Sequence, residues 1–202
     1  LRANAKIGVI ILAAGSSSRL GYPKQLVEFK GISLLQHSID VAESLEFETK
    51  ILVLGAKEDE INKKINRRNF EVVINENWEE GMSTSIRKGI SEAIRIEKEL
   101  EHILILLSDQ PLVTKDKIEE LIRNQLKSNK QATFSEYAGE LGVPAIFSKE
   151  IFSELKMLKG DQGAKKLIYD PDFQFGTVKF ENGNFDVDIT ADVELLKRME
   201  EE

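Results

Sequence analysis

The stretch KIGVIILAAGSSSRLGYPKQL, residues 6–26, decides how the rest of the chain is read. Its first part, KIGVIIL (6–12), is short, β-branched and apolar, the mark of a strand buried on both faces. Its second part, LAAGSSSRLGYPKQL (12–26), leaves that strand through small residues. It carries Gly15 and Gly21, offers three hydroxyls and supplies the cations Arg19 and Lys24. A loop of small residues lets backbone N–H groups approach and wrap a phosphate chain, and the two cations balance its charge. The spacing is not that of a Walker A loop, since no Lys-Ser or Lys-Thr pair follows Gly21, and it is not GxGxxG. A flexible Gly/Ser turn with solvated cations is the alternative at this point.

Outward from that strand the chain alternates. Leu34, Leu35, Ile39, Ala42 and Leu45 recur at helical spacing behind Ser33, a candidate N-cap. KILVL (50–54), EVVIN (71–75) and HILILL (102–107) read as further buried strands. Between them lie helices predicted over 60–68 and from Met82 to about Glu99, the latter marked by Ile86, Ile90, Ala93 and Ile94. Thr114 is placed to cap a helix reaching Leu126. QATFSEY (131–137) and PAIF (144–147) read as strands around a Gly-containing loop. Short helices follow near 149–157 and 162–169, then a strand over 173–180 and a last helix from Thr190. This order predicts an α/β fold with a mostly parallel sheet and helices on both faces, in one domain over residues 1–202.

Composition narrows the function. The 202 residues hold no cysteine, which excludes a disulfide scaffold, a thiolate zinc site and a cysteine nucleophile. A net charge of −7 argues against a general nucleic-acid or anionic-membrane binder. The longest apolar runs, Val9–Ala14 and Ile103–Leu107, fall far short of the ~20 residues of a membrane span. The opening LRANAK lacks the apolar segment of a signal peptide, so cytoplasm is the expected compartment.

In an open parallel sheet, ligands bind beyond the carboxyl ends of the strands. Two more segments lie there. NENWEEGMSTSIRKGI (75–90) breaks at Gly81 and crowds hydroxyls into the next helix turn, where free N–H groups suit an anion or a base edge. LLSDQP (106–111) sets Asp109 at a strand end before a proline, either as a turn cap or as half of a hard-cation site.

The motifs together resemble the MobA-like nucleotidyltransferases, the family that includes molybdenum cofactor cytidylyltransferase. LAAGSSSRLGYPK is similar to the signature LAAGxSxRxGxxK, matching Leu12, Ala13, Ala14, Gly15, Ser17, Arg19, Gly21 and Lys24. Asn75, Trp78, Gly81, Met82 and Ser85, with Ser83 beside them, fit the segment that lines the nucleotide pocket in the family. GVPAIF (142–147) and LKGDQGAKKLI (158–168) resemble elements facing the second substrate, which implies roles for Gly142, Pro144, Asp161, Gly163 and Lys165. Lys165 stands where the family pattern has Arg, keeping charge but not bidentate geometry. DVDITAD (186–192) resembles DIDTPED, keeping Asp186, Asp188 and Asp192.

The resemblance implies a three-layer Rossmann-like nucleotide-diphospho-sugar transferase fold. It also implies transfer of a nucleoside monophosphate to a phosphate acceptor, with pyrophosphate released. Lys24 and Arg19 would hold the triphosphate, and Asp109 and Asp188 would hold Mg²⁺. Ala14 and the DQP sequence favour CTP as donor and a molybdopterin-type phosphate as acceptor, with a recipient molybdoenzyme or its chaperone as a further partner. A sugar- or polyol-phosphate nucleotidyltransferase is the enzyme alternative. A non-catalytic nucleotide- or cofactor-binding chaperone is the other, and the intact Lys24, Asp109 and Asp188 weigh against it. His37 and His102 read as structural, and Trp78 as a packing anchor or a pocket wall.

Overall fold

A computed structural model describes residues 5–183 and 185–201; residues 1–4 of the opening LRANAK lie outside them. The first strand, β1 (Ile7–Ala13), is buried along its whole length. Ile10, Leu12 and Ala14 point into one hydrophobic layer, and Val9, Ile11 and Ala13 into the other. Burying an Ile or Val contributes roughly 1.5–3 kcal/mol, whereas strand propensity spans only ~1 kcal/mol. Burial therefore sets this strand and its central position.

After β1 come a small hairpin, β2 (Glu28–Phe29) and β3 (Ile32–Ser33), and helix α1 (Leu34–Glu43). Next are β4 (Thr49–Leu54), α2 (Glu58–Lys64), β5 (Glu71–Ile74), α3 (Met82–Ile96) and β6 (His102–Leu107). The second half holds α4 (Lys115–Lys127), β7 (Ala132–Tyr137), β8 (Glu140–Ser148), α5 (Phe152–Met157), β9 (Phe175–Lys179) and α6 (Thr190–Glu201). Among the described residues the main sheet has seven strands in the order β5-β4-β1-β6-β8-β7-β9. β1 pairs in parallel with β4 and β6, β4 with β5, and β7 with β9. β8 runs antiparallel to both its neighbours. The sheet is thus mostly parallel, with helices on both faces, as the alternation predicts.

Two contacts fix the layers around the cleft. Helix α3 turns Ile86, Ile90 and Ala93 to the sheet, and Gly89 makes the approach possible. A Cβ on Gly89 would lie 2.7 Å from Ile10 Cγ2, so a larger residue would lift α3 off β1. On the other side, a third cluster joins Leu20, Val27, Phe29 and Leu34 to Val187, Val193 and Leu196. It packs α6 and the segment before it against the base of the loop that follows β1.

The structure trims several expectations. α3 ends at Ile96, short of the expected Glu99, and the helix expected over 60–68 is Glu58–Lys64. The strand expected at 144–147 extends over Glu140–Ser148, because the turn at Ala138–Gly139 (φ 51° and 78°) lets the hairpin pair down to its tip. The short helices near 149–157 and 162–169 are largely 3₁₀: Lys149–Ile151 leads into α5, and Ala164–Tyr169 stands alone.

Candidate active site

The carboxyl ends of β1 and β6 open into a cleft of about 460 Å³. Leu12, Ala14, Gly15, Ser16, Arg19 and Lys24 line it from the first loop, and Leu107, Ser108 and Asp109 from the end of β6. Trp78, Glu79, Gly81, Met82 and Ser85 form the wall toward α3, and Asp161 closes it from the segment after α5.

The first loop is held by its own side chains. Gln25 is almost fully buried and donates its amide to the carbonyls of Ala13 (2.9 Å) and Gly15 (3.0 Å). Ser17 adopts φ 53°, and its Oγ accepts the Lys24 backbone N–H at 3.0 Å. Ala13 points into the opposite core layer and Ser17 braces the loop, so neither lines the cleft; Ser16, to which no role fell from sequence, does. Gln25 also carried no signal in sequence, where a glutamine after Lys24 looks like a surface residue.

At the focus of the cleft, Lys24 Nζ lies 2.5 Å from Asp109 Oδ2 and 2.6 Å from Asp188 Oδ1. Arg19 meets Asp188 Oδ2 at 2.9 Å. Asp109 and Asp188, far apart in sequence, therefore converge on one cation. The backbone fixes their register: Val187 N–H donates to the Asp109 carbonyl, and Asp192 accepts the N–H groups of Asp188 and Ile189. Burial alone would lower the Lys24 ammonium, but Asp109 and Asp188 outweigh it and hold the group above its ordinary value. Burial likewise works against Asp188, and Lys24 with Arg19 holds it below the usual carboxylate range.

Asp186 was kept in the sequence pattern without a role. Burial and the neighbouring Asp109 charge push its carboxyl up to about 6, against the pull of Gln110 and Lys24. Tyr137 is pushed up to about 12 by burial and by the charges of Asp186, Asp109 and Glu140. One oxygen each of Asp109 and Asp186 is buried without a hydrogen-bond partner. Carboxylate oxygens are hard donors, and Asp109 and Asp188, which converge on Lys24, suit a hard cation that completes its shell from phosphates and water. Among the described residues, no group of three or more His, Cys, Asp or Glu forms a self-sufficient metal site.

The wall toward α3 differs from its reading in sequence. Asn75 is buried and does not line the cleft; its amide donates to Thr84 Oγ1 (2.8 Å) and Ser85 Oγ (2.9 Å), positioning Ser85, which does. No side chain caps α3. The Ser83 N–H, expected to be free for an anion, is taken by the Gly160 carbonyl at 3.1 Å, and the Ser83 hydroxyl is buried. Gly81 sits at φ 107°, and a Cβ there would lie 2.3 Å from the Gly160 carbonyl carbon. The 158–163 segment thus docks on the start of α3, with Gly163 beside Met82 and Asp161 at the cleft.

Of the other residues expected on the acceptor side, Lys165 pairs with Glu140 and does not line the cleft. Gly142 and Pro144 lie in β8 around a cis Val143–Pro144 bond, against Tyr137 and Gln110. His37 bonds the Val113 carbonyl at 2.9 Å and braces the segment after Asp109, a structural role. Trp78 packs on the core and also walls the cleft.

The family profile described as the MobA-like NTP transferase domain matches residues 9–174. The bifunctional protein GlmU of Desulfitobacterium hafniense strain Y51 is 32% identical over 126 residues, 61% of this chain and 26% of that protein. The chain thus spans only about a quarter of that relative's length. The purine catabolism protein PucB of Bacillus subtilis strain 168 is 27% identical over 209 residues, covering 98% of each. Among solved structures, Rv0371c of Mycobacterium tuberculosis H37Rv superposes with a TM-score of 0.82 at 28% identity, over 98% of this chain and 99% of that one. A second structure of that protein, in complex with manganese, gives 0.80 at 27% identity, over 95% and 98%.

Proposed function

Because this chain belongs to the MobA-like NTP transferase family, we propose that it is a nucleotidyltransferase that transfers CMP from CTP to the terminal phosphate of a molybdopterin-type acceptor, releasing pyrophosphate. The observation that carries this reading is the convergence of Asp109 and Asp188 on Lys24, with Arg19 on Asp188, where Lys24, Arg19 and Asp109 line the cleft at the strand ends. Phosphoryl-type transfer depends on positioning and charge neutralisation more than on covalent groups. The braced first loop supplies the positioning: Gln25 and Ser17 hold its backbone so that Gly15 and Ser16 face the phosphates. Lys24 and Arg19 neutralise the triphosphate.

Asp109 and Asp188 would hold Mg²⁺, which when bound supplies charge neutralisation at the reacting phosphate. A phosphate monoester, with second pKa ≈ 6, is already ionised near neutrality and asks for no general base. The absence of cysteine from the sequence is consistent with such an acceptor. Ala14, which lines the cleft, supports CTP as donor.

A second reading, a sugar- or polyol-phosphate acceptor, has its own support. Glu79 and Asp161 line the cleft, and Lys165 is engaged by Glu140. Carboxylates bind hydroxyls well and repel additional phosphates. Pyrophosphate release from each NTP, with molybdopterin and with sugar phosphates in parallel, separates the two. CTP should also raise the melting temperature more than GTP in Mg²⁺; an equal or larger shift with GTP would defeat the choice of base.

A further inference from the structure

The two carboxylates assigned to the metal already share a cation. Lys24 Nζ stands 2.5 Å from Asp109 Oδ2 and 2.6 Å from Asp188 Oδ1, with both carboxylates within reach of one ammonium. A Mg–O bond is only ~2.1 Å long, so a dication on those oxygens and the ammonium would lie almost on top of one another. Their charges repel as well as their volumes. Lys24 and the metal therefore compete for the same oxygens. The ammonium has an advantage while it has no other anion to serve, since leaving would strand a largely buried charge. A triphosphate along the first loop is such an anion.

The surroundings of Lys24 suit an exchange of partners. Its backbone is pinned, because its N–H donates to Ser17 Oγ and the next residue, Gln25, clamps the Ala13 and Gly15 carbonyls. Its four-carbon stem is free to turn on that fixed base. Arg19 remains on Asp188 Oδ2, so that residue keeps a partner when Lys24 leaves. The buried Asp109 Oδ1, without a hydrogen-bond partner, is a donor that Lys24 does not satisfy.

Building on the nucleotidyl-transfer reading, we propose that Lys24 gates the metal site. It keeps the Asp109–Asp188 pair closed to a free divalent cation and yields it when a polyphosphate draws the ammonium away. Metal and nucleotide then enter as a coupled pair, each raising the affinity for the other by the same factor.

The test uses Mn²⁺ alone, without nucleotide, titrated into the full chain and followed by the electron paramagnetic resonance signal of the free ion. Wild type should bind Mn²⁺ weakly. Lys24→Met should bind it about tenfold tighter or more, the scale set by removing one like charge within ~4–6 Å. Lys24→Arg should stay near wild type, and adding Asp109→Asn to Lys24→Met should abolish the gain. Lys24→Gln carries the same expectation if Lys24→Met does not fold. A neutral variant that binds Mn²⁺ no tighter than wild type would overturn the gate, as would Lys24→Arg matching Lys24→Met. The parallel pyrophosphate assay on wild type separates the two readings. Tighter Mn²⁺ binding by the neutral variant with no release from any NTP would sink the transfer and leave the gate standing; release without the gain in binding would do the reverse.

Discussion

Asp186 shows how one buried side chain ties the site to stability. Its carboxyl ordinarily titrates at 3.8 and is raised to about 6 in the fold, by burial first and by Asp109 second. Well below pH 3.8 the group is protonated in both folded and unfolded chains and changes nothing. As pH rises toward 6, the folded protein holds a proton that the unfolded chain has lost, so stability falls, and above 6 the cost is complete. Asp186→Asn should therefore stabilise the protein at pH 8 by on the order of 2 kcal/mol and leave it nearly unchanged at about pH 3. Thermal melts in metal-free buffer at the two pH values check this. Equal shifts at both would mean that the carboxyl carries no burial cost.

Among the elements, the junction between α3 and the 158–163 segment is the most exposed to a single change. Gly81 adopts φ 107° and ψ 175°, a region open to glycine, and its missing side chain leaves room for Gly160. Gly81→Ala should cost about 2 kcal/mol or more, through strain and backbone clash together. It should also release Asp161 from the cleft, so the acceptor's KM should rise more than the nucleotide's. A urea midpoint and steady-state kinetics measure both, and an unchanged midpoint would contradict the contact. Other elements were legible because local chemistry decides them. Ser33 accepts the Gln36 N–H and Thr114 the Lys117 N–H, as caps chosen from residue type alone should. The β2–β3 hairpin was not legible, since two-residue strands have no periodicity. The start of α3 was misread as a row of free N–H groups because a carbonyl distant in sequence, that of Gly160, takes the Ser83 N–H.

Across the whole molecule, the site depends on joining the two ends of the chain. The placement of the first loop and of Asp109 at the cleft was readable from sequence, because strand ends in a parallel sheet face one side. The roles of Gln25, Asn75 and Asp186 were not, because they arise from tertiary burial that no spacing encodes. The cluster of Leu20, Val27, Leu34, Val187 and Leu196 brings Asp188 to Lys24. Leu196 is fully buried in it, and Leu196→Ala should cost about 2–5 kcal/mol. In protein that remains folded by far-ultraviolet circular dichroism, turnover should fall while α3 and its wall stay in place. Undiminished turnover would mean that α6 does not position Asp188. The most direct measurement is pyrophosphate release from CTP with Mg²⁺ and molybdopterin by wild type, Lys24→Ala and Asp109→Asn. Wild type should release pyrophosphate only with the acceptor present, and each variant should lose about a hundredfold or more, the scale for removing one charge stabiliser at a reacting centre. Undiminished release by either variant, or none by wild type from any NTP, would contradict the proposed transfer.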